Sequence, residues 1–295
     1  MSFRAHALSV LWWNIGGANF HQTQEAPSYD KAPLEKSLDK IIKDKDPEVL
    51  VFGEYYEGFL EPEIFHKIQN HYGHGDFFKY NSHSDIGIAV FSKYPLDIHY
   101  EPDVLSWKKG DIKSNLSLKY NELHSTRSFQ RITFDYKGQE INLVPYHSVM
   151  PWNEIKSDDQ GLSSIHSAFG PIEVGLSILF SEKSSLGHQA KILQQKIKAQ
   201  RFFSKPESTW LLFGDFNIPD SFAYIPSKIF TVLKGDFKQG TLMDGIDYSF
   251  PYPNTALGVP QMQIDHALSN KESDQMKYEF LDYPGSDHFP MLMHF

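Results

Sequence analysis

The sequence predicts an α/β fold, and three observations carry that expectation. Strand-like apolar runs and amphipathic helical stretches interleave from Leu8 to Phe295, the pattern of a sheet packed against helices. The apolar runs repeatedly stop at a polar residue, as strands do when they reach the rim of a sheet. A chain of 295 residues that is 40% hydrophobic can bury a large core, which excludes wholesale disorder. No internal repeat, low-complexity tract or linker composition divides it. One domain spanning residues 1–295 is therefore the simplest reading.

Leu8 to Trp13 is a short apolar run that passes straight into Asn14-Ile15-Gly16-Gly17, so it reads as a first core strand rather than a secretion signal. Leu34, Leu38, Ile41 and Ile42 recur at helical spacing and predict a helix over 33–45. Asp46-Pro47 ends it, and Glu48 to Phe52 follows as a buried strand leading to Glu54. Ile64, Phe65 and Ile68 predict a second helix over 61–72, and Gly87 to Phe91 a strand. Alternation through Tyr136, the turn Lys137-Gly138 and the run to Val144 read as a hairpin. A helix over 188–203, a strand over 209–214 and short late strands at Ile264–Leu268 and Met291–Phe295 complete the series. Residues 101–125 and 151–187 show no sustained period and read as long functional or mobile loops.

The charge balance is −9, from 28 basic and 37 acidic residues. The long-range field therefore repels polyanions, and an anionic substrate would need local basic groups or a bound divalent cation. The chain has no cysteine, which excludes disulfides, thiolate metal sites and a cysteine nucleophile. No apolar run approaches the ~18 residues of a membrane helix. A cytoplasmic location with no obligate protein partner is the expectation.

The polar residues at the strand ends carry the chemistry. In Trp210-Leu-Leu-Phe-Gly-Asp-Phe-Asn-Ile218, alternation puts Asp215 and Asn217 on one side and Phe216 on the other. A carboxylate beside a carboxamide can hold a metal ion, a water and a phosphoryl oxygen together, which points to phosphate-ester hydrolysis. Asn14, Glu54, His147, Asp265 and Asp287-His288 stand at comparable ends. Any one alone is more often a turn former or cap; together they suit one rim. Glu54 is a natural ligand for Mg²⁺, which favours one or two carboxylates plus water and substrate oxygens. Neighbours on a strand face opposite ways, so Asp287 does not orient His288; Asp265 is the candidate for that task. His266 and His294 sit among apolar residues and read as structural.

With these positions assembled, the chain resembles the endonuclease/exonuclease/phosphatase family, which includes deoxyribonuclease-I-like nucleases, abasic-site endonucleases, bacterial sphingomyelinases and inositol-phosphate phosphatases. The resemblance runs from Trp13-Asn14-Ile15, through Glu54 after Asp46-Pro47, Phe91-Ser-Lys-Tyr-Pro95, His147, Gly-Asp-Phe-Asn217 and Ile-Asp-His266, to Ser286-Asp-His-Phe-Pro290. It implies a four-layer αββα sandwich: two packed mixed β-sheets flanked by helices. It also implies that Asn14 and Glu54 bind Mg²⁺ or Mn²⁺ with Asp287 close by. Asp215 would align or activate the attacking water, or hold a second metal, and Asn217 would hold a phosphoryl oxygen. His288, oriented by Asp265, would transfer a proton or stabilise the transition state.

Deoxyribonuclease-I-like members and sphingomyelinases carry His where this chain has His147; abasic-site enzymes carry Tyr. By the same resemblance, Asp85 pairs with His147 so that the imidazole can protonate the leaving oxygen, and Arg127 contacts a phosphate. The family often has Gln before the metal-binding Glu, whereas this chain has Gly53. The implied activity is metal-dependent phosphodiester hydrolysis, with DNA endonuclease the first expectation. A sphingomyelinase-like or inositol-phosphate hydrolase is the alternative, and an inert binding member of the fold is the third reading.

Overall fold

The computed structural model describes residues 7–16, 32–105, 126–148, 185–222, 225–250 and 262–295. Among them are two mixed β-sheets, a two-stranded ribbon and four helices. The first sheet has seven strands in the order β12-β14-β15-β1-β2-β4-β3. These are β1 (Ser9–Asn14), β2 (Val49–Tyr55), β3 (His74–Lys79), β4 (Gly87–Ser92), β12 (Thr241–Leu242), β14 (Lys277–Phe280) and β15 (Met291–His294). The second has six, β11-β13-β8-β7-β6-β5. They are β5 (Asp97–Leu105), β6 (Arg127–Tyr136), β7 (Gln139–Pro145), β8 (Thr209–Asp215), β11 (Lys238–Gln239) and β13 (Asp265–Ser269). β9 (Ser221–Phe222) and β10 (Ile225–Pro226) form the ribbon.

Side-chain alternation explains how the layers assemble. Val10 and Trp12 of β1 face the second sheet, where Leu211 and Phe213 of β8, Leu143 of β7 and Ile132 of β6 join one buried cluster. Leu11 and Trp13 point the other way and pack with α1 (Ala32–Asp44) and α2 (Pro62–Tyr72). On the far side, Trp210 and Leu212 pack with α3 (Ser185–Phe202) and α4 (Lys228–Lys234). Three apolar seams separate four layers, giving the αββα sandwich that the resemblance implies.

Most expected elements appear within a residue or two of their sequence bounds. Residues 101–105, expected as loop, instead extend β5 along β6 past a register shift between Glu101 and Leu105. This stretch has neither strand alternation nor helical period, and Pro102 sits inside it; an edge strand tolerates that proline. Sequence periodicity also missed β3, β14 and α4. Residues 106–125, and the part of the 151–187 segment before Ser185, lie outside the described residues. No helix of the described residues is long and apolar enough to cross a membrane.

Candidate active site

β1 and β2 run parallel with Asn14 opposite Gly53, and β7 and β8 run parallel with Pro145 opposite Phe213. β13 and β15 run against their neighbours, so Asp265 lies directly opposite Asp215 and Met291 opposite Trp12. All the strand ends singled out in the sequence therefore reach the same rim of the sandwich.

Glu54 reaches the space between the sheets through a backbone irregularity. Phe52 and Tyr55 both pack toward the helices. A register shift between them adds a residue to β2, and Glu54 takes a left-handed φ of 55°. Such a bulge re-aims a side chain that strict alternation would send elsewhere. The Tyr80 hydroxyl oxygen accepts the Glu54 N–H at 2.6 Å and holds the bulge.

Asn14 Nδ2 donates to Asp215 Oδ2 at 3.0 Å and to Glu54 Oε1 at 3.3 Å, joining the two sheets. Its own Oδ1 accepts from Gly16 N at 3.0 Å. The amide hydrogens, rather than the oxygen, thus face the carboxylates. For Asn14 to ligate a cation there, the amide must turn over and give up the Gly16 bond. Asp215 Oδ1 accepts from Asn217 N at 2.7 Å. Asn217 has a φ of 52°, so the chain turns back on itself there and Asn217 Nδ2 donates to Ser148 O at 3.2 Å. Phe216 packs away from the rim with α4 and His266.

Two imidazoles flank Asp215. His288 Nδ1 lies 2.6 Å from Asp265 Oδ2, and its Nε2 lies 3.6 Å from Asp215 Oδ2. His147 Nε2 lies 3.4 Å from Asp215 Oδ2 and 3.7 Å from Glu54 Oε1. Burial pushes the Asp215 carboxyl upward, but the charge of His288, the hydrogen bond and charge of His147 and the Asn217 N–H outweigh it and hold it down to about 2. Burial likewise opposes a charge on His288, yet Asp265, Asp215 and Asp287 raise it well above the ordinary imidazole range. The loop carrying His288 is pinned to β1: Trp13 Nε1 donates to His288 O at 2.9 Å and Ser286 Oγ to Asn14 O at 2.6 Å. Asp287 is half-buried beside it and accepts from Ser286 Oγ at 3.2 Å.

The pairing of Asp85 with His147 is not present. The Asp85 side chain is 78% exposed and pairs with Lys79 at 3.2 Å. The Tyr80 ring packs against His147 with centroids 4.8 Å apart, and His147 Nδ1 is buried with no hydrogen-bond partner among the described residues. Asp85 lies in the turn before β4 and points to solvent, so it does not orient the imidazole. Arg127 stands at the rim above Tyr80, with its guanidinium 5.0 Å from the ring centroid. Its Nε donates to His147 O at 3.0 Å and its Nη1 to Thr126 O at 3.1 Å.

Sequence reasoning passed over Tyr80, whose one side chain touches Glu54, His147 and Arg127. It follows β3, whose residues His74-Gly-Asp-Phe-Phe-Lys79 are mostly exposed and carry no apolar alternation. His266, read as structural, is buried, with Nε2 2.8 Å from Ile218 O.

Asp215, Asp265 and His288 bring ligand-type atoms within 4.8 Å of one another, a buried group able to hold a metal ion. Both oxygens of Asp265 are already hydrogen-bonded, to His288 and to Trp12 Nε1 at 2.7 Å. The two carboxylates of Asp215 and Glu54 stand on facing sheets and share the Asn14 amide. Two carboxylates converging on one amide form a hard-oxygen set that suits Mg²⁺ or Mn²⁺.

A model of the endonuclease/exonuclease/phosphatase family matches residues 11–288. A comparison with curated protein sequences finds no match. Among solved structures, beta toxin from Staphylococcus aureus with bound magnesium ions is similar at 14% identity, with a TM-score of 0.60, over 98% of this chain and 99% of that one. Sphingomyelinase C from Streptomyces griseocarneus is similar at 14% identity and a TM-score of 0.61, over the same shares. Truncated TDP2 from Caenorhabditis elegans is similar at 16% identity and a TM-score of 0.52, over 98% of this chain and 97% of that one. At these identities the likeness concerns the fold.

Proposed function

Since this chain belongs to the endonuclease/exonuclease/phosphatase family, we propose that it hydrolyses a phosphodiester with the help of a divalent metal ion, with DNA as the first substrate class. The observation that supports this best is the ionised Asp215 set between two imidazoles and linked through Asn14 to Glu54 across the sheets. Glu54, Asp215 and Asp287, with Asn14 after its amide turns, would hold Mg²⁺ or Mn²⁺. The ion would neutralise phosphate charge and acidify a bound water.

The remaining steps belong to the chain's own residues. Asp215, held anionic, accepts the hydrogen of the attacking water and aligns its lone pair on phosphorus. His288, kept protonated by Asp265, donates to a non-bridging oxygen as negative charge accumulates there. Asn217 spends one amide hydrogen on Ser148 O and has a second for a phosphoryl oxygen. His147, freed from the Asp85 pairing, stands beside the same carboxylates and can protonate the leaving oxygen. Arg127 at the rim would meet a neighbouring phosphate.

A second reading, hydrolysis of a phosphocholine lipid, is favoured by two observations. The chain carries a charge of −9, which opposes a polyanion. It also matches sphingomyelinase C over nearly the full length of both chains. Supercoiled plasmid and sphingomyelin vesicles, each incubated with Mg²⁺ and with chelator, separate the two. Nicking that needs the metal and disappears in Asp215→Asn supports the first reading. Phosphocholine release without nicking replaces it with the second. Inertness toward both, and toward a chromogenic phosphodiester, removes the hydrolase reading.

A further inference from the structure

We infer that Trp12 is a positioning residue for the reaction, fixing Asp265 and through it His288, and that Gly53 exists to make room for its ring. This rests on the proposed role of the Asp265–His288 pair. Trp12 belongs to β1 in the first sheet and Asp265 to β13 in the second. The indole N–H donates to Asp265 Oδ1 at 2.7 Å across the buried seam, while Asp265 Oδ2 faces His288 Nδ1 at 2.6 Å. Each carboxylate oxygen thus has one dedicated partner. A carboxylate bonded on only one oxygen can rotate about its Cβ–Cγ bond; one bonded on both cannot, and the imidazole it carries is held in one plane.

The backbone of Asp265 is fixed as well, because Ser249 Oγ accepts both Ile264 N at 3.0 Å and Asp265 N at 2.9 Å. Trp12 is fully buried and meets Phe213 edge-on with centroids 6.0 Å apart, so its ring has one seat. A Cβ on Gly53 would come within 2.6 Å of Trp12 Cη2 and 2.7 Å of Cζ2. The indole therefore occupies the direction in which any side chain at position 53 would project. The departure from the glutamine common at this place in the family thus has a steric cause. Trp12 and Gly53 form a matched pair, and the residue preceding Glu54 is small because the adjacent strand supplies a hydrogen-bond donor that fills the gap.

The experiment compares Trp12→Phe, Gly53→Ala and replacement of Trp12 by 3-benzothienylalanine, which keeps the bicyclic shape and loses only the N–H. Activity is read on whichever phosphodiester the wild type cleaves with Mg²⁺. In parallel, the metal-free proteins are read for the downfield proton NMR signal of His288 Nδ1–H. The benzothienyl variant is expected to fold as the wild type does, to lose roughly tenfold or more in kcat at unchanged KM, and to shift or broaden that signal. Gly53→Ala should do the same by displacing the ring. A benzothienyl variant with wild-type kcat and an unmoved His288 signal overturns the inference, whatever Trp12→Phe does to folding. Asp265→Asn and His288→Ala serve as controls. If both retain full activity, the proposed role of the pair is what fails; if both lose activity while the benzothienyl variant does not, only the assignment to Trp12 fails.

Discussion

The two rims of this sandwich are built from the two ends of the same strands, and they treat their carboxylates in opposite ways. At the rim where β1, β2, β7 and β8 begin, Glu48, Glu140 and Asp46 each have neutral or cationic partners. Glu48 accepts from Ser9 N at 2.9 Å and from the Ser9 hydroxyl, Glu140 accepts from Ser208 Oγ at 2.7 Å, and Asp46 from Lys93 Nζ at 2.6 Å. Where those strands end, Asp215 and Asp265 sit directly opposite each other in the ladder, a like-charge pairing that costs stability by itself. Glu54 is brought toward them by a strained bulge. His288 stands between the two aspartates, with Nδ1 2.6 Å from Asp265 Oδ2 and Nε2 3.6 Å from Asp215 Oδ2. One rim is arranged for stability. The other concentrates charge that a cation and a phosphate can use, which is how functional sites depart from the packing rules around them.

The sharpest way to break this contrast is to remove the charge at its centre. Asp215→Asn should lower metal-dependent phosphodiester hydrolysis by on the order of 10³-fold with the circular dichroism spectrum intact, because it deletes both a ligand and the base. A loss below tenfold would leave the site rim no more important than the other. The next largest effect concerns the backbone just before it. Gly214 has a φ of 135°, and a Cβ there would lie 2.1 Å from Tyr146 O, where β7 and β8 lock together. Gly214→Ala should therefore destabilise the protein by about 3 kcal/mol or more, read as a fall in urea midpoint. An unchanged midpoint would mean that the β7–β8 junction yields easily.

How much of this was legible beforehand follows the same division. Residues carried by regular strands announced themselves: Asp215 ends the apolar run of β8, Asp265 stands at the first residue of β13, and alternation put Phe216 away from Asp215. The aim of Glu54 was not legible, because a bulge adds one residue without any sequence period to mark it. Asp85 was misplaced because chain order says which turn a residue occupies but not whether its side chain points to solvent. Tyr80 and Trp12 were missed because each acts through a contact remote in sequence, 26 residues from Glu54 and 253 from Asp265. No local pattern encodes such a distance.

The titration of Asp215 sharpens the comparison at a smaller scale. Its carboxyl is held down to about 2 from the ordinary 3.8. A depressed folded value means that the stabilisation is fully present above about pH 4 and is lost as pH falls through 2. For this buried group the contribution is on the order of 2 kcal/mol. In chelator, the unfolding free energy of the wild type should fall between pH 4 and 2 more steeply than that of Asp215→Asn. Parallel curves would show that the two imidazoles do not stabilise the anion as described.

The smallest effect is expected at the stable rim. Ser208 is buried and its hydroxyl satisfies Glu140, whose carboxyl burial pushes up but Ser208, Asn142, Lys205 and Arg131 together hold below its usual value. Ser208→Ala removes one charge-assisted hydrogen bond while Asn142 Nδ2, at 3.1 Å, continues to donate to the same oxygen. The expected cost is about 1 kcal/mol in urea unfolding, with hydrolysis within twofold of the wild type. A loss of activity comparable to that of Asp215→Asn would mean that the far rim acts on the chemistry through β7 and β8. Those strands connect the two rims directly, through a core close-packed enough to transmit a shift, so this substitution tests whether the stable rim and the charged rim are energetically separate.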